Sequence, residues 1–478
     1  MKTQFSRVTP STNIWIDGLT DGYRWSRENA EESLELTYKL HQGSEANIGY
    51  VESMDSFRSY DMIEEEVHTF KDALMHIESV SSIIFTEVKG EKKANLNFFI
   101  TGRSVSLNRS GFAYAPNPKY GSISGTIGLN REFHRRGEVE LISTVQLGSF
   151  YGISFLHELA HALGLKHPHD RGLHGEPRFP GIGNKSYNYL QPGDFAMNSH
   201  PNTIMTYQLN MAGFENLERK RDFGYLNTLG SVDTATLQWI YGANLNHKPG
   251  NDTYKLPNQN SPGIGWSLLW DTGGKDTITA QHSREPATIN LNNASLKQSK
   301  SAGGPKSFLN SASGGFVIAY DWDGINLNSR AGICIIENAT GGAGNDSIIG
   351  NKFNNSLRGK QGNDSLSGGN GADTLIGGPG RDTLRGGRGS DTFLLDEGID
   401  KLMDLSFREG DQIIIKGKDQ SITKQIQITK VATINQWKDL PANNQLKVLF
   451  AEDTNHLYLP ILNSEGTAMS FKPIAEIN

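Results

Sequence analysis

The chain has 478 residues, of which 46 are Lys or Arg and 52 are Asp or Glu, so its formal net charge is −6. This length favours two or three domains over a single core. The absence of a basic block argues against nucleic acid as a partner, and the absence of an apolar run of about 18 residues predicts no membrane span. The single cysteine, Cys334, excludes an internal disulfide framework and is interpreted as a small buried hydrophobe.

The N-terminal part of the chain predicts helices packed on a sheet. Its first 30 residues lack the apolar segment of a secretory signal peptide. Residues 61–80 carry apolar side chains at helical spacing and predict a long amphipathic helix. Four short segments favour strands because they are rich in apolar and β-branched residues: 82–88, 95–100, 111–116 and 125–130.

Residues 157–167 read His-Glu-Leu-Ala-His-Ala-Leu-Gly-Leu-Lys-His. On a helix predicted from about 152 to 163, positions four apart lie on one face, so His157 and His161 can both bind one Zn²⁺. Glu158 points about 100° away, beside the metal. We therefore expect Glu158 to act as the general base that takes a proton from a bound water.

The second half of this motif supplies a third metal ligand. Gly164 can end the helix in the left-handed conformation, and the returning chain can then present His167. Three protein ligands with one open position are typical of a catalytic zinc site, whereas structural sites are closed by four. The pattern therefore predicts a zinc hydrolase.

A long irregular loop, residues 168–203, is predicted to lie over the cleft because it is rich in Pro and Gly. Three further histidines lie in it and are interpreted as surface residues, with a second metal ion as the alternative: His169, His174 and His200. Residues 231–244 then predict a helix closed at Gly242, and the first domain is expected to end near residue 245.

Six consecutive nonapeptides begin at residues 341, 350, 359, 368, 377 and 386. They follow the pattern GGxGxDxUx of a calcium-binding parallel β-roll. Glycines allow positive φ and bring carbonyls to a cation, and the Asp adds carboxylate oxygen, which Ca²⁺ prefers. The predicted calcium ligands in the repeats are Gly342, Gly344, Asp346, Gly359, Gly362, Asp364, Gly368, Gly369, Gly371, Asp373, Gly377, Gly378, Gly380, Asp382, Gly386, Gly387, Gly389 and Asp391.

Two nonapeptides should form one full coil, so residues 18 positions apart are expected to stack. Asp346, Asp364 and Asp382 then follow one edge of the coil, and Asp373 and Asp391 follow the other. The apolar eighth residue of each repeat is expected to fill the interior: Ile348, Leu357, Leu366, Leu375, Leu384 and Phe393.

The second repeat departs from the pattern, because Asn355 replaces Asp and Phe353 replaces Gly. We expect the calcium site of this turn to be weak or absent. The regular nine-residue phasing disfavours a flexible Gly-rich linker. A phosphate-binding loop is disfavoured because no Gly-Lys-Ser/Thr and no helix follow.

Together, the zinc motif and the repeats resemble the serralysin family, the RTX-type metzincin endopeptidases secreted by Gram-negative bacteria. The resemblance covers about residues 34–415. It implies an α+β metzincin catalytic domain (a twisted sheet with long helices) over 21–245. An all-β C-terminal domain over 246–478 follows, with a parallel β-roll at 341–394. Other matching segments are ELTYKL (35–40), TIMTY (203–207), DTATLQWIYGAN (233–244) and WDTGGKDTI (270–278).

Further site residues are implied by this resemblance. Met205 matches the Met-turn beneath the zinc, and Tyr207 matches a further zinc ligand that swings to stabilise the oxyanion. The substrate is expected to pair with an edge strand through Ala113, Tyr114 and Ala115. Calcium ligands before the repeats are implied at Asp271, Gly273, Gly274, Asp276 and Glu337.

The implied function is that of a secreted, calcium-stabilised zinc metalloendopeptidase, with one catalytic Zn²⁺ and several structural Ca²⁺. The expected partners of this monomer are protein or peptide substrates, a proteinaceous inhibitor and a type I secretion apparatus. A C-terminal secretion signal is implied, although the ending IAEIN lacks the family's acidic-plus-apolar residues, and a short propeptide is implied within residues 1–20. A roll that binds Ca²⁺ at about 10⁻⁴–10⁻³ M would fold only outside the cell.

Two other function classes stay open from the sequence. One is a calcium-dependent adhesin with an inactive protease-like domain, against which the intact Glu158 and the three histidines argue. The other is an intracellular zinc peptidase, in which the repeats would have to fold at nanomolar calcium. Hydrolysis of casein with and without a chelator distinguishes the three.

Overall fold

The computed structural model describes most of the chain. The described residues are 4–26, 33–43, 59–101, 110–134, 144–172, 175–183, 188–208, 220, 222–320, 334–396, 398–406, 408–416, 423–425, 427–431, 447–451, 455–462 and 468–477. None of the helices among them is long and apolar enough to span a membrane.

The N-terminal region contains the helices of the described chain, together with short strands. The helices are α1 (Ile14–Leu19), α2 (Glu64–Val80), α3 (Arg131–His134), α4 (Gly152–Ala162) and α5 (Ser231–Tyr241). The strands are β1 (Gln4–Arg7), β2 (Tyr23–Ser26), β3 (Leu34–Leu40), β4 (Ser59–Tyr60), β5 (Ile83–Glu87), β6 (Leu96–Thr101), β7 (Gly111–Ala113) and β8 (Thr126–Asn130).

One mixed sheet supports the functional site, with strand order β5-β3-β6-β8-β7 and β4 paired to β6. Strands β5, β3, β6 and β8 are parallel, whereas β7 runs antiparallel to β8 and β4 runs antiparallel to β6. Aromatic contacts join two helices to this sheet, because the ring centroid of Phe98 lies 4.2 Å from that of Phe70 on α2 and 5.6 Å from that of Phe155 on α4. The histidine helix α4 is therefore fixed to a rigid layer.

A buried charge pair fixes the segment that leads into α4. The Arg131 guanidinium donates to both carboxylate oxygens of Glu66 on α2, and the Tyr151 hydroxyl donates to Glu66 Oε1 at 2.9 Å. Because Glu66 is fully buried, the Arg131 and Tyr151 donors compensate its lost hydration.

The predicted elements of this region are confirmed, with small shifts at their ends. Helix α2 covers 64–80 of the predicted 61–80, and β7 ends at Ala113 where a strand to 116 was expected. Leu156 and Leu159 of α4, and Leu163 directly after it, are fully buried. Gly164 has φ +99, as expected for a residue that ends the helix.

Residues 4–20, which overlap the predicted propeptide, pack into this region. Strand β1 pairs with β2, and Trp15, Ile16 and Leu19 of α1 are fully buried. The Lys166 N–H donates to the Leu19 carbonyl at 2.7 Å, beside the third histidine. This segment thus packs against the chain that carries the third histidine. A processing cut before residue 20 stays a prediction.

From residue 246, the described part of the chain forms strands and no helix. The strands are β9 (Thr253–Lys255), β10 (Trp266–Leu269), β11 (Thr277–Thr279), β12 (Ala287–Asn290), β13 (Lys306–Leu309), β14 (Gly315–Ile318), β15 (Asn338–Thr340), β16 (Ser347–Ile349), β17 (Ser356–Arg358), β18 (Ser365–Asn370), β19 (Thr374–Ile376), β20 (Thr383–Arg388), β21 (Thr392–Leu395), β22 (Asp400–Leu402), β23 (Gln412–Lys416), β24 (Thr423–Gln425), β25 (Gln427–Val431), β26 (Lys447–Ala451), β27 (His456–Leu462) and β28 (Ala468–Ile477).

The repeats alternate between two sheets. Strands β16, β18, β20 and β22 are neighbours in a 12-stranded sheet, and β15, β17, β19, β21 and β23 are neighbours in an 8-stranded sheet. Within each sheet they run parallel, and Ile348 pairs with Leu366, 18 residues later. The predicted 18-residue register is confirmed, and the predicted interior residues are nearly or fully buried.

The coil is longer than the six predicted repeats. Strands β11 and β12 add to it before the repeats, and β22 and β23 add to it after them. The end of β28, which includes most of the predicted IAEIN signal, pairs with β22 between Asp400 and Leu402. A role of this ending in secretion stays a prediction.

Candidate metal centre and active site

The three motif histidines meet at one point. His157 and His161 are one turn apart on α4, and His167 returns after Gly164. The Nε2 atom of His167 lies 3.1 Å from Nε2 of His161 and 3.2 Å from Nε2 of His157. Ligands about 2.0–2.1 Å from a tetrahedral Zn²⁺ have a comparable mutual spacing.

The second nitrogen of each ring is held by an oxygen that can only accept. Nδ1 of His157 donates to the Ile204 carbonyl at 2.9 Å, and Nδ1 of His161 donates to the Leu165 carbonyl at 2.8 Å. Nδ1 of His167 lies 2.7 Å from Oδ2 of Asp170. These bonds direct the Nε2 lone pairs toward the common point, as the outer partners of a zinc site do.

The electrostatics of this cluster also fit a cation. Burial, together with the neighbouring His167, lowers the pKa of His157 to about 3 and that of His161 well below its usual range. Both imidazoles are therefore neutral at pH 7, and their lone pairs are available. Three converging lone pairs repel one another unless a cation lies between them, so the donor set fits zinc.

A buried carboxylate on α5 positions the loop that holds His157. The two oxygens of Asp233 accept from Thr203 Oγ1 at 2.5 Å, from the Ile204 N–H at 2.6 Å and from the Gly230 N–H at 2.8 Å. Ile204 in turn offers its carbonyl to His157. Burial raises the pKa of Asp233 to about 6 although these three donors lower it.

Met205 and Tyr207 follow in the same loop. Met205 is fully buried, as expected for a residue packed beneath the site, and its N–H donates to Thr203 Oγ1 at 3.0 Å. The Tyr207 ring lies 4.6 Å from the His167 ring and 6.2 Å from the His157 ring. With its side chain half exposed, Tyr207 lies at the mouth of the cleft.

Glu158 lies between the histidines and the edge strand. It is buried and lines an open cleft of about 700 Å³ together with the three histidines and Tyr207. A Cβ added to Gly111 of β7 would come within 2.7 Å of Glu158 Oε1. Glycine at 111 therefore gives the carboxylate its place in the cleft.

The predicted substrate edge is partly available in the structure. The Tyr114 N–H donates to the Thr126 carbonyl at 3.0 Å, and its carbonyl accepts from the Gly125 N–H at 2.7 Å. Alternate residues of an antiparallel strand direct their main-chain groups to opposite sides. Ala113 and Ala115 line the cleft, whereas the main-chain groups of Tyr114 are used within the sheet.

The three additional histidines have different places. His169 stacks on His167, with ring centroids 4.9 Å apart, and it forms a second metal-compatible group with His167 and Asp170. His200 is buried, so its interpretation as a surface residue was wrong. His174 lies outside the described residues.

Asp170 and Asp233 were not predicted from the sequence, although the spacing His-x-x-Asp after the motif could have indicated Asp170.

The contact between Asp170 and His167 leads to a testable prediction. Asp170→Ala removes the carboxylate that orients His167, so zinc affinity or activity should fall by about 10–100-fold. Zinc affinity is measured by competition with a chromogenic chelator. Asp72→Ala, an exposed position on α2, is the matched control and should change neither quantity. An unchanged zinc affinity in Asp170→Ala would show that the ring needs no such support.

A second group of carboxylates lies at the start of the C-terminal region. Oxygens of Asp252, Asp271 and Asp276 lie within 4.8 Å of one another, and Glu337 Oε2 accepts from the Asp276 N–H at 2.9 Å. Burial, with Asp271 and Glu337 nearby, raises the pKa of Asp276 to about 7. Gly273 donates to Asp271 Oδ1, and Gly274 has φ +125. The cluster fits a hard cation, and Asp252 was not predicted from the sequence.

The aspartates of the repeats form two ladders. Oδ1 of Asp364 accepts from the Asp346 N–H, and Oδ1 of Asp382 accepts from the Asp364 N–H, each at 2.7 Å and 18 residues apart. The other ladder links Asp373 to Asp391 at 2.9 Å. Four buried Oδ2 atoms have no hydrogen-bond partner, as expected where a cation is to bind: those of Asp364, Asp373, Asp382 and Asp391.

Glycines make room at these oxygens. A Cβ on Gly359 would lie 2.2 Å from Asp364 Oδ2, and one on Gly368 would lie 2.2 Å from Asp373 Oδ2. Carbonyl oxygens of the next coil lie beside them, since the same added atoms would come within 2.6 Å of the Gly377 and Gly386 carbonyls. Carboxylate and carbonyl oxygens together are the donor set that Ca²⁺ prefers.

Several known proteins and one family of repeats are similar to this chain. The family described as RTX calcium-binding nonapeptide repeat (4 copies) matches residues 340–375 and 367–402. Serralysin of Photorhabdus laumondii is 28% identical over 72% of this chain and 64% of its own length. Serralysin C of Dickeya chrysanthemi is 31% identical over 69% and 62%, and metalloprotease AprA of Pseudomonas entomophila is 27% identical over 70% and 62%.

These relatives are serralysins and a metalloprotease, and the repeats match a calcium-binding family. More particularly, the chain is homologous to the serralysins, so the resemblance found in its sequence is confirmed. The predicted cofactors agree with these findings, because the matched repeat family binds calcium and the three histidines form a group that could hold a metal ion. The chain spans slightly less than two thirds of the length of these relatives.

Proposed function

We propose that the protein is a secreted, calcium-stabilised zinc metalloendopeptidase. The observation that carries this proposal is the meeting of three histidine Nε2 atoms beside a buried glutamate in an open cleft. The N-terminal region would then be a metzincin catalytic domain and the coil a parallel β-roll, as in the family that the chain resembles. Hydrolysis of casein, with and without chelators, tests the proposal.

In the proposed reaction, Glu158 is the general base. When bound, Zn²⁺ would polarise the scissile carbonyl and lower the pKa of a bound water toward about 7. Glu158 takes a proton from the attacking water and delivers it to the leaving amine. The Glu158 side chain is buried beside Gly111, in the wall of the cleft that the three histidines also line.

The substrate is proposed to bind as an extended strand against β7. Ala113 and Ala115 offer main-chain groups on the cleft side, so an antiparallel peptide would run from the Ala115 end toward Gly111. Gly111 pairs with Leu129, and α3 follows directly after that strand. The leaving-group side of the substrate would therefore lie toward Phe133 and Phe150, two aromatic residues of the cleft.

Tyr207 is proposed to donate its hydroxyl hydrogen bond to the oxyanion. Tyr207→Phe should therefore lower kcat by about 10²–10³-fold and raise KM much less, because the interaction forms only in the transition state. Steady-state kinetics on a fluorogenic peptide measure the two constants. Tyr189→Phe, at a ring 6.1 Å from Tyr207, is the matched control and should be near wild type. A normal kcat in Tyr207→Phe would reduce Tyr207 to a packing residue.

Calcium would supply the folding free energy of the coil. Buried, unpaired carboxylate oxygens are costly, and cation binding releases that cost. Extracellular calcium is high enough to occupy sites with Kd of about 10⁻⁴–10⁻³ M, whereas cytosolic calcium is not. A tail that folds only outside the cell is compatible with type I secretion, which is part of the proposal.

A further inference from the structure

The second turn of the coil, residues 350–355, has a different backbone from the turns after it. In the fourth, fifth and sixth turns, glycines with positive φ occupy the second and fourth positions, for example Gly369 at +110 and Gly371 at +111. In the second turn these positions hold Asn351 and Phe353, and neither has positive φ. Its carbonyl groups therefore have different orientations from those of the later turns.

The carboxamide of Asn355 closes this turn from inside. Its Oδ1 accepts from the Asn351 N–H at 2.7 Å. Its Nδ2 donates to Asn351 Oδ1 at 3.0 Å and to the Glu337 carbonyl at 3.1 Å, so both amide hydrogens are used. The carboxamide oxygen lies beside Gly350 as the Oδ2 atoms of the later aspartates lie beside the first glycine of their turns, but it already accepts from the Asn351 N–H.

Asn351 extends the same network toward the start of the coil. Its Nδ2 donates to the Leu291 carbonyl at 3.1 Å and to the Ile336 carbonyl at 2.9 Å, while its Oδ1 also accepts from the Phe353 N–H at 2.9 Å. Asn351 and Asn355 are both buried. Their polar atoms are satisfied by protein groups alone.

The later turns contrast with this one. At the same position, Asp373 and Asp391 each leave a buried Oδ2 without a hydrogen-bond partner. The Asn355 turn has no such atom and no carboxylate, and Lys352 places its ammonium 5.4 Å from the Phe353 ring, within the turn. A hard cation needs six or more oxygen ligands, and this turn offers it no carboxylate oxygen.

We propose that residues 350–355, which we call the amide turn, bind no calcium and are held closed by the Asn355 carboxamide in the place of the cation. The amide turn then connects the first coil to Leu291, Ile336 and Glu337 whether or not calcium is present. When calcium is withdrawn, the coil opens at its later turns, while β17 keeps its pairing with β15.

The test uses the full-length protein with two substitutions at equivalent positions of the coil, Asn355→Ala and Asp373→Ala. Bound calcium is counted by equilibrium dialysis, and protection of residues 351–358 is followed by hydrogen exchange without calcium. Asn355→Ala should bind as many calcium ions as the parent, and its calcium-free exchange at 351–358 should be about tenfold faster, as expected from losing a few hydrogen bonds. Asp373→Ala should lose bound calcium.

Either of two results for Asn355→Ala would overturn the proposal. A lower calcium count would make Asn355 a ligand, and unchanged exchange in calcium-free protein would show that its carboxamide closes nothing. Asn351→Ala removes an acceptor and two donors of the same network and gives a second, independent variant. It should likewise speed exchange at 351–358 without changing the calcium count, and loss of calcium would contradict the proposal.

Discussion

Replacing Glu158 by Gln is expected to lower kcat by about 10²–10⁴-fold while the protein keeps its zinc. The Glu158 carboxylate lines the cleft together with the three histidines and can take a proton from water, whereas a carboxamide of the same shape cannot. The proposed zinc ligands are the three histidines, whose partners are Ile204, Leu165 and Asp170, so the substitution leaves their hydrogen bonds in place.

The measurement is peptide hydrolysis together with zinc content by atomic emission. Glu65→Gln, at an exposed glutamate in the first turn of α2, is the matched control and should retain full activity. A Glu158→Gln protein that hydrolyses peptides at the parental rate would rule out its role as the base. Loss of zinc from this variant would show that Glu158 acts on the metal centre itself.

Withdrawing calcium while zinc is held constant is expected to unfold the later turns of the coil and to lower the melting temperature. The buried Oδ2 atoms of Asp364, Asp373, Asp382 and Asp391 would then be left without a partner. Burial raises the pKa of Asp364 and Asp373 to about 7, which shows how unfavourable their ionised forms are without a cation. Each site at a calcium concentration of 100 Kd contributes about 2.7 kcal/mol.

Hydrogen exchange of peptides from residues 365–394 measures this unfolding, and peptides from α4 serve as an internal control because the helix packs on the N-terminal sheet. Protection in the coil should fall on chelation and return when calcium is added. A coil that stays fully protected at nanomolar calcium would contradict the role of calcium in its folding and would favour an intracellular peptidase.

Much of the site could be predicted because its chemistry is local in sequence. His157, Glu158 and His161 lie on one helix, and Gly164 needs the left-handed backbone that returns His167. The coil could also be predicted, because a fixed period places residues 18 positions apart in register. Its extension through β22 and β23 could not be read because those strands lack the glycine pattern.

The positioning residues could not be predicted because their partners are remote in sequence. Asp233 accepts from the Ile204 N–H, 29 residues away, and Asp276 accepts from the Asp252 N–H, 24 residues away. A pattern of residue types along one segment does not reveal such pairs. The burial of His200 and the use of Tyr114 within the sheet are likewise tertiary effects.

Hydrolysis of casein by the purified full-length protein tests the central claim most directly. The account predicts that activity is present with calcium and zinc, is abolished by 1,10-phenanthroline and returns when zinc is added in the presence of calcium. Restoration by calcium alone, or hydrolysis that survives removal of zinc, would contradict a catalytic zinc held by His157, His161 and His167.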